Sequence, residues 1–275
     1  KPDIDAVREG LSKGLRESVG EPGRRHAMRM MGCRMEALCA ADEKGARELV
    51  RAEGDLMRGL YRAGTGRLLK LRDNGRMSVL IRAEATRLLA ETAWFVRGDV
   101  ALFAPIREWY RQVAAGAGVE AEWALCMALR MAFLEKADPG PLIEAILKRS
   151  SDSPAAEEAR RMRSALEVGK PPYLCSSMKS PRRYTVCRDF QRSGFVLATG
   201  MPEGRKLDSV SWTDGLGLWV WSDEWKRGPA VVRSLVWPGY AFRPGLCYAD
   251  FYEGETFVAR RLFTVSGWML NEDAR

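Results

Sequence analysis

Hydrophobic positions follow two different periods along the chain. Before residue 169 apolar side chains recur every three or four positions, which predicts amphipathic helices over 3–19, from Arg24 onward, after a helix cap at Asp42, and over 77–95. Gly169-Lys170-Pro171-Pro172 interrupts that pattern, and the following segments are short and β-rich. We therefore predict an α+β protein with an all-helical domain over 1–169, a linker over 170–182 and a β domain over 183–275.

The β domain is predicted to contain seven short strands with turns at close spacing, which is typical of a β-sandwich. The predicted strands are 183–190, 194–199, 206–212, 216–222, 230–237, 246–252 and 256–266. Gly254 lies between the last two, where a hairpin turn needs a positive φ.

The end of the chain carries a recognisable order of features. Pro244-Gly245 precedes an aromatic strand, Gly254 forms the turn, and the second strand ends in Phe263-Thr264-Val265. This order resembles the last hairpin of immunoglobulin-like β-sandwich modules in bacterial envelope and secreted proteins, over the last third of the chain. The resemblance implies an antiparallel sandwich that binds or spaces and holds no catalytic residue. In such sandwiches a cysteine of the second strand often pairs with one of the sixth, which gives a Cys187–Cys247 bridge as one option beside a local Cys175–Cys187 bridge. Buried reduced thiols are the alternative to both bridges.

A second pattern repeats within the helical domain. Pro105 and Pro141 lie 36 residues apart, and each opens a segment that is followed by an alanine-rich helix, over 119–136 and 154–168. Such a period, with small residues where helices meet, is typical of α-solenoids. From about residue 75 to residue 169 the chain resembles HEAT or armadillo-type repeats, which implies a scaffold with a concave protein-binding face. An irregular helical bundle is the alternative.

Tryptophans mark a candidate contact face in the β domain. In Leu218-Trp219-Val220-Trp221, strand alternation places the two aliphatic side chains on one face and the two indoles on the other. Both faces are then apolar, so something must cover the second one: the helical domain, a protein partner or a sugar. The candidate binding residues are Trp219, Trp221, Trp225, Trp237 and Tyr240.

Composition restricts the partners. The chain has a net charge of +8 and a pI near 9.3, which favours acidic partners in general. Its arginines are scattered beside glutamates rather than gathered in one block, which argues against nucleic acid. No run of eighteen apolar residues occurs, so no membrane-spanning helix is predicted.

Motifs of catalysis and metal binding are absent from the sequence. The six cysteines form no Cys-x-x-Cys pair, and the single histidine, His26, stands among arginines as a predicted surface residue. We predict no metal, no cofactor and no catalytic residue. Asp214, Asp223 and Glu224 are the carboxylates that a hydrolase would have to use.

These observations predict a non-catalytic adaptor, scaffold or assembly subunit of the bacterial cell envelope that acts through protein partners. The predicted location is periplasmic or secreted, and we expect that a leader or a tag preceded Lys1. One alternative is a carbohydrate-binding or hydrolytic protein that uses the tryptophan-rich strands. The other is a cytoplasmic HEAT-like adaptor.

Overall fold

The computed structural model describes residues 4–58, 60–97 and 103–167, and then 173–175, 186–187, 195–198, 207–215, 217–224, 231–235 and 245–265. Packing of the Cα atoms divides the chain into two compact units. Unit 1 consists of Lys1–Arg16 and Arg29–Ala159, and unit 2 of Glu17–Met28 and Arg160–Arg275. The predicted domains, 1–169 and 183–275, differ from these ranges and stay a prediction about pieces that fold independently.

Eight helices are described, and they precede the strands, as the change of hydrophobic period predicts. They are α1 (Ile4–Glu17), α2 (Pro22–Met57), α3 (Tyr61–Asp73), α4 (Val79–Arg97), α5 (Phe103–Ala114), α6 (Val119–Glu135), α7 (Gly140–Arg149) and α8 (Pro154–Glu167).

Helix α2 is two helices joined at Asp42. The backbone of Asp42 is extended, with φ −172° and ψ 96°, and its carboxylate Oδ1 accepts a hydrogen bond from the Gly45 amide at 2.8 Å. An extended residue whose side chain binds an amide three positions later is a helix N-cap. The predicted cap at Asp42 is therefore confirmed.

Successive helices of unit 1 pack on one another. Contacts join α3 to α4, α4 to α5, α5 to α6, and α6 to α7. Helix α6 is buried nearly all round, and its alanines 121, 124, 128 and 132 are among its buried residues. Small side chains allow neighbouring helices to approach closely, so α6 is the central helix of this repeat-like series.

The strands form two sheets among the described residues. They are β1 (Tyr173–Cys175), β2 (Val186–Cys187), β3 (Phe195–Ala198), β4 (Ser209–Thr213), β5 (Trp219–Glu224), β6 (Val231–Leu235), β7 (Gly245–Glu253) and β8 (Thr256–Val265). One sheet has the order β1-β3-β6 and the other β2-β8-β7-β4-β5. Strands β2 to β8 fall on the seven predicted segments, and β1 was not predicted.

Two details refine the predicted sandwich. Gly254 has φ 58° in the turn between β7 and β8, which confirms the predicted hairpin. The prediction of purely antiparallel strands is wrong at one edge, because β2 pairs with β8 in parallel. Packing of one sheet on the other, which would make a sandwich, is not shown.

The core of unit 2 lies on both sides of the larger sheet. Strand β7 runs between β4 and β8, and its consecutive residues from Leu246 to Tyr252 are all buried. Trp212 on β4 is fully buried as well. The first turn of α2 approaches this sheet so closely at Gly23 that a Cβ atom there would overlap Cβ and Oγ of Ser211.

This close approach predicts that Gly23→Ala lowers the free energy of unfolding by roughly 1–3 kcal/mol, because a methyl group forces two packed elements apart. Gly32→Ala is the matched control, since no atom lies within 4 Å of a Cβ at that helical position. Alanine there should raise the free energy of unfolding by about 0.5–1 kcal/mol. Urea denaturation of both variants measures the difference, and equal effects would contradict the packing.

Candidate functional site

Glu84 is the centre of a buried polar cluster in unit 1. Its residue exposure is 0%, although a carboxylate in an apolar interior is costly without partners. Its Oε2 accepts hydrogen bonds from Arg34 Nε at 3.1 Å and Arg87 Nη2 at 3.0 Å. Its Oε1 accepts from the Tyr110 hydroxyl at 2.7 Å and the Trp123 indole at 3.0 Å. Four donors therefore satisfy this carboxylate.

The cluster continues as a row of alternating charges. Arg87 Nη1 reaches Glu91 Oε1 at 3.3 Å, and Arg130 Nε donates to the same oxygen at 3.0 Å. At the other end Arg34 Nη1 donates to Glu53 Oε2 at 3.0 Å. The members of the row, in order, are Glu53, Arg34, Glu84, Arg87, Glu91 and Arg130. The charges of the three carboxylates and the three guanidinium groups balance, so the row has no net charge.

The environment fixes the protonation states at the centre. Burial alone would raise the pKa of Glu84, but the charges of Arg87 and Arg34 and the hydrogen bonds outweigh it and lower that pKa to about 2. Burial, together with the charge of Glu84, raises the pKa of the Tyr110 hydroxyl well above its usual value. At neutral pH the carboxylate is therefore ionised and the phenol protonated, and neither is tuned for proton transfer.

The physical role of the cluster follows from where its members come from. Arg34 belongs to α2, Glu84 to α4, Tyr110 to α5 and Trp123 to α6. The carboxylate of Glu84 in α4 thus connects its own helix to three other helices of unit 1. Because its lone pairs are occupied and its surface is closed to solvent, the cluster fixes helix positions and is not an acid–base site.

A second buried carboxylate, Asp250, organises unit 2. Arg260 on the neighbouring strand donates to both of its oxygens, Nε to Oδ1 at 2.6 Å and Nη2 to Oδ2 at 2.9 Å. Arg161 of α8 donates through Nη1 to Oδ2 at 2.9 Å and to the Tyr252 hydroxyl at 2.5 Å. The Arg161 guanidinium also lies 4.6 Å from the centre of the Phe257 ring. These contacts join α8 to the sheet within unit 2.

His26 belongs to the interior of unit 2, and its prediction as a surface residue is wrong. Its exposure is only 2%, because the first turn of α2 packs against the sheet at Gly23. Burial would raise the pKa of Asp250, but Arg260, Arg161 and the nearby His26 together lower it. The arginines that flank His26 in sequence therefore do not indicate its environment.

Unlike the two buried clusters, the surface around α3 in unit 1 is exposed and rich in basic side chains. Residues 58–76 contain six arginines and lysines and one acid, Asp73. Ion pairs occupy three of the six: Arg67 Nε lies 2.9 Å from Asp55, Arg58 Nη2 lies 2.5 Å from Asp55, and Arg72 Nε lies 2.7 Å from Asp73. Among the described residues, the side chains of Arg62, Lys70 and Arg76 have no acidic partner.

We call Arg62, Lys70 and Arg76 the α3 basic face. All three are exposed. Arg62 and Lys70 are eight residues apart on α3, about 12 Å along the axis at 1.5 Å per residue. Gly66 lies between them, and no atom lies within 4 Å of a Cβ there, so the helix backbone is open to a close partner at this point.

The predicted tryptophan face lies largely outside the described side chains. The backbones of Trp219 and Trp221 lie in β5, where they pair with Thr213 and Trp212. Their side chains, and the whole of Trp225, Trp237 and Tyr240, are outside the described residues. The candidate contact face stays a prediction.

The predicted disulfides also stay predictions. Cys247 is fully buried in β7, and the side chains of Cys175 and Cys187 are outside the described residues. The described part of the chain contains no cluster of three or more His, Cys, Asp or Glu residues arranged to hold a metal ion. Within that same part, no helix is long and apolar enough to cross a membrane.

Sequence reasoning missed both buried carboxylates. A signal for the first was present, since Glu84, Arg87 and Glu91 are spaced by three and four on a helix whose other residues are largely apolar. Charges at that spacing lie on one face. The sequence did not show that this face points inward.

Comparison with known proteins gives one remote likeness. No protein-family model matches the chain, and no curated protein sequence matches it. A solved structure of Pseudomonas fluorescens alkylpurine DNA glycosylase AlkC, bound to DNA containing an abasic site analog, matches at 11% identity, and the match covers 89% of this chain and 77% of that chain. Its TM-score is 0.21, so the likeness carries no activity or ligand over to this chain.

One prediction is corrected here. The main functional prediction was a non-catalytic adaptor of the bacterial cell envelope, whereas the matching structure is a DNA glycosylase and not an envelope protein. The prediction against nucleic acid as a partner stays a prediction. The predicted compartment stays a prediction.

The Glu84 cluster predicts a large effect of removing one charge. Glu84→Gln should lower the free energy of unfolding by roughly 3–5 kcal/mol, because it leaves buried guanidinium groups without a counter-charge. Glu108→Gln on the exposed surface of α5 is the control and should change it by less than about 0.5 kcal/mol. Chemical denaturation at pH 7 measures both.

The same variant tests the lowered pKa. Because the pKa of Glu84 falls from its ordinary value to about 2 on folding, its stabilisation is complete above about pH 5 and is lost as pH falls towards 2. The free energy of unfolding should therefore depend less steeply on pH between about 5 and 2 in Glu84→Gln than in the unchanged protein. Parallel pH profiles would contradict the assignment.

Proposed function

We propose that the chain binds nucleic acid through the α3 basic face. The observation that carries this proposal is the set of three exposed cationic side chains, Arg62, Lys70 and Arg76, that have no acidic partner in the described part of the chain. Exposed cations without internal partners gain most from a polyanion, because they release condensed counterions from its phosphates.

The arrangement favours an extended anion over a small one. The three side chains are spread along α3 and the turn that follows it, instead of converging on one pocket. A single phosphate is held by converging donors, whereas a polymer of phosphates meets cations at intervals along its length. Gly66, which is open to solvent between Arg62 and Lys70, lets a sugar–phosphate backbone approach the helix closely.

The scaffold is proposed to be of helical-repeat type. Sequential packing from α3 to α7 supports a HEAT-like arrangement, in which a row of helices presents one continuous surface. We propose further that the β-rich part is an immunoglobulin-like module, supported by the hairpin with Gly254 and by seven strands at predicted positions.

A second candidate is an adaptor for an acidic protein. Exposed apolar side chains beside the cations favour it: Met57, Leu60 and Leu69 are 54%, 50% and 38% exposed. Protein interfaces combine such apolar residues with arginine. The two candidates differ in salt dependence, since displacement of condensed counterions gives nucleic-acid binding a steep logarithmic dependence on salt.

The proposal predicts that replacing Arg62, Lys70 and Arg76 together by glutamine weakens binding to a 20-base-pair duplex by at least about tenfold near 0.1 M salt. The slope of log K against log salt should also become less negative by roughly 2–3, because three phosphate contacts are lost. Fluorescence anisotropy with labelled duplex at several salt concentrations measures both quantities.

A charge-matched control separates this face from net charge. Lys44, Arg111 and Lys148 are exposed elsewhere on unit 1, and their triple glutamine variant has the same net charge. It should retain affinity within about threefold. Equal losses in the two variants would contradict a specific face, and no binding by the unchanged protein would contradict the function itself.

A further inference from the structure

Two apolar side chains stand out beside the α3 basic face. Met57 ends α2 and Leu60 immediately precedes α3, and they are 54% and 50% exposed. They lie three residues apart on one turn, so both project from the corner that joins the two helices. We call Met57 and Leu60 the apolar tip.

Hydrogen bonds hold the described residues at the end of α2 and the start of α3. The amides of Arg58 and Leu60 both donate to the Asp55 carbonyl, at 3.2 and 2.9 Å, and the Gly64 amide donates to the Leu60 carbonyl at 2.9 Å. The Asp55 carboxylate binds Arg58 and Arg67 at the same time. Met57 and Leu60 are exposed beside these bonded residues.

Two arginines lie close to the tip in sequence. Arg58 lies between Met57 and Leu60 in sequence, and Arg62 follows two residues later without an acidic partner among the described residues. The natural occupant of this surface therefore combines negative charge with a flat apolar face. Nucleic acid offers both where its bases are unstacked, because apolar wedges then contact base faces while arginines contact phosphates.

From this juxtaposition we infer that the apolar tip contacts unpaired bases, so that the chain prefers nucleic acid containing unstacked bases to a perfect duplex. The inference rests on the proposed function, which assigns the phosphates to the α3 basic face. An unpaired base is already partly unstacked, so a wedge meets less resistance there than in an intact stack.

A membrane surface also combines anionic groups with an apolar phase, but the tip fits it poorly. Lipid binding by a helix needs a broad apolar stripe along its surface. On α3, Leu68 and Leu71 are buried and Leu69 is 38% exposed, so these leucines do not make such a stripe. Two exposed side chains at a corner match a local apolar contact better than an interface.

The experiment compares two labelled DNA probes of the same length, a perfect 20-base-pair duplex and one carrying a three-nucleotide bulge. The unchanged full chain should bind the bulged probe about tenfold more tightly. Met57→Ser combined with Leu60→Ser should bring the two affinities within about twofold and leave the affinity for the perfect duplex within about twofold of the unchanged protein. Because both side chains are exposed, the thermal midpoint should not fall, which checks folding.

Leu166→Ser is the matched control, since Leu166 is 53% exposed on α8. This variant should keep the preference. Equal binding of both probes by the unchanged chain, or a preference that survives the double substitution, would overturn the inference while the proposed function stands. Absence of binding to either probe would overturn both.

Vesicles of phosphatidylcholine and phosphatidylserine supply the last arm of the test. Little vesicle binding, unaffected by the double substitution, is the expected result. Tight vesicle binding that the double substitution abolishes, with no change in probe preference, would assign the tip to a membrane and overturn the inference.

Discussion

The helical unit depends on one buried carboxylate. Glu84 receives donors from α2, α4, α5 and α6, and the strength of each bond rests on the low dielectric around it. An isolated charge in that position would unfold the region or lose its ionisation, and four donors prevent both. The helices must therefore keep their mutual positions for the charge to stay buried, which gives the repeat-like series a defined geometry.

Unit 2 uses the same device in a different setting. Asp250 is held by Arg260 from the next strand and by Arg161 from α8, so one carboxylate joins a helix to a sheet. In unit 1, Glu84 and Glu91 face inward and Asp55 is bound by Arg58 and Arg67. Arg62, Lys70 and Arg76 have no acidic partner among the described residues.

Local structure was predictable from the sequence because local chemistry determines it. Hydrophobic period placed most of the helices and seven strands, Asp42 marked a cap, and Gly254 marked a hairpin turn. Helix α3 was not predicted, because Gly64 and Gly66 look like a turn between helices but lie within it. Long-range contacts were not predictable from the sequence. Arg34 and Glu84 are 50 residues apart, and nothing in either neighbourhood shows that they meet. The sequence also did not show that Glu84 and Glu91 face inward instead of pairing with arginines at the surface.

The Asp250–Arg260 pair shows that a single bulge changes the strand register that counting residues from the turn would predict. From the turn, Glu253 pairs with Thr256, and counting back along both strands would place Ala259 opposite Asp250. A bulge between Phe251 and Tyr252 shifts the register by one and brings Arg260 there instead. The predicted tryptophan face had another difficulty. Strand alternation shows that this face of β5 is apolar, but it does not show what covers the face.

The central claim is that the surface around α3 contacts nucleic acid while the buried clusters only support it. Hydrogen exchange followed by mass spectrometry, with and without saturating duplex DNA, tests this directly. The account predicts slower exchange in peptides covering residues 58–76 and little change in α7. Protection confined to α7 or to the strands of unit 2, with residues 58–76 unchanged, would contradict it.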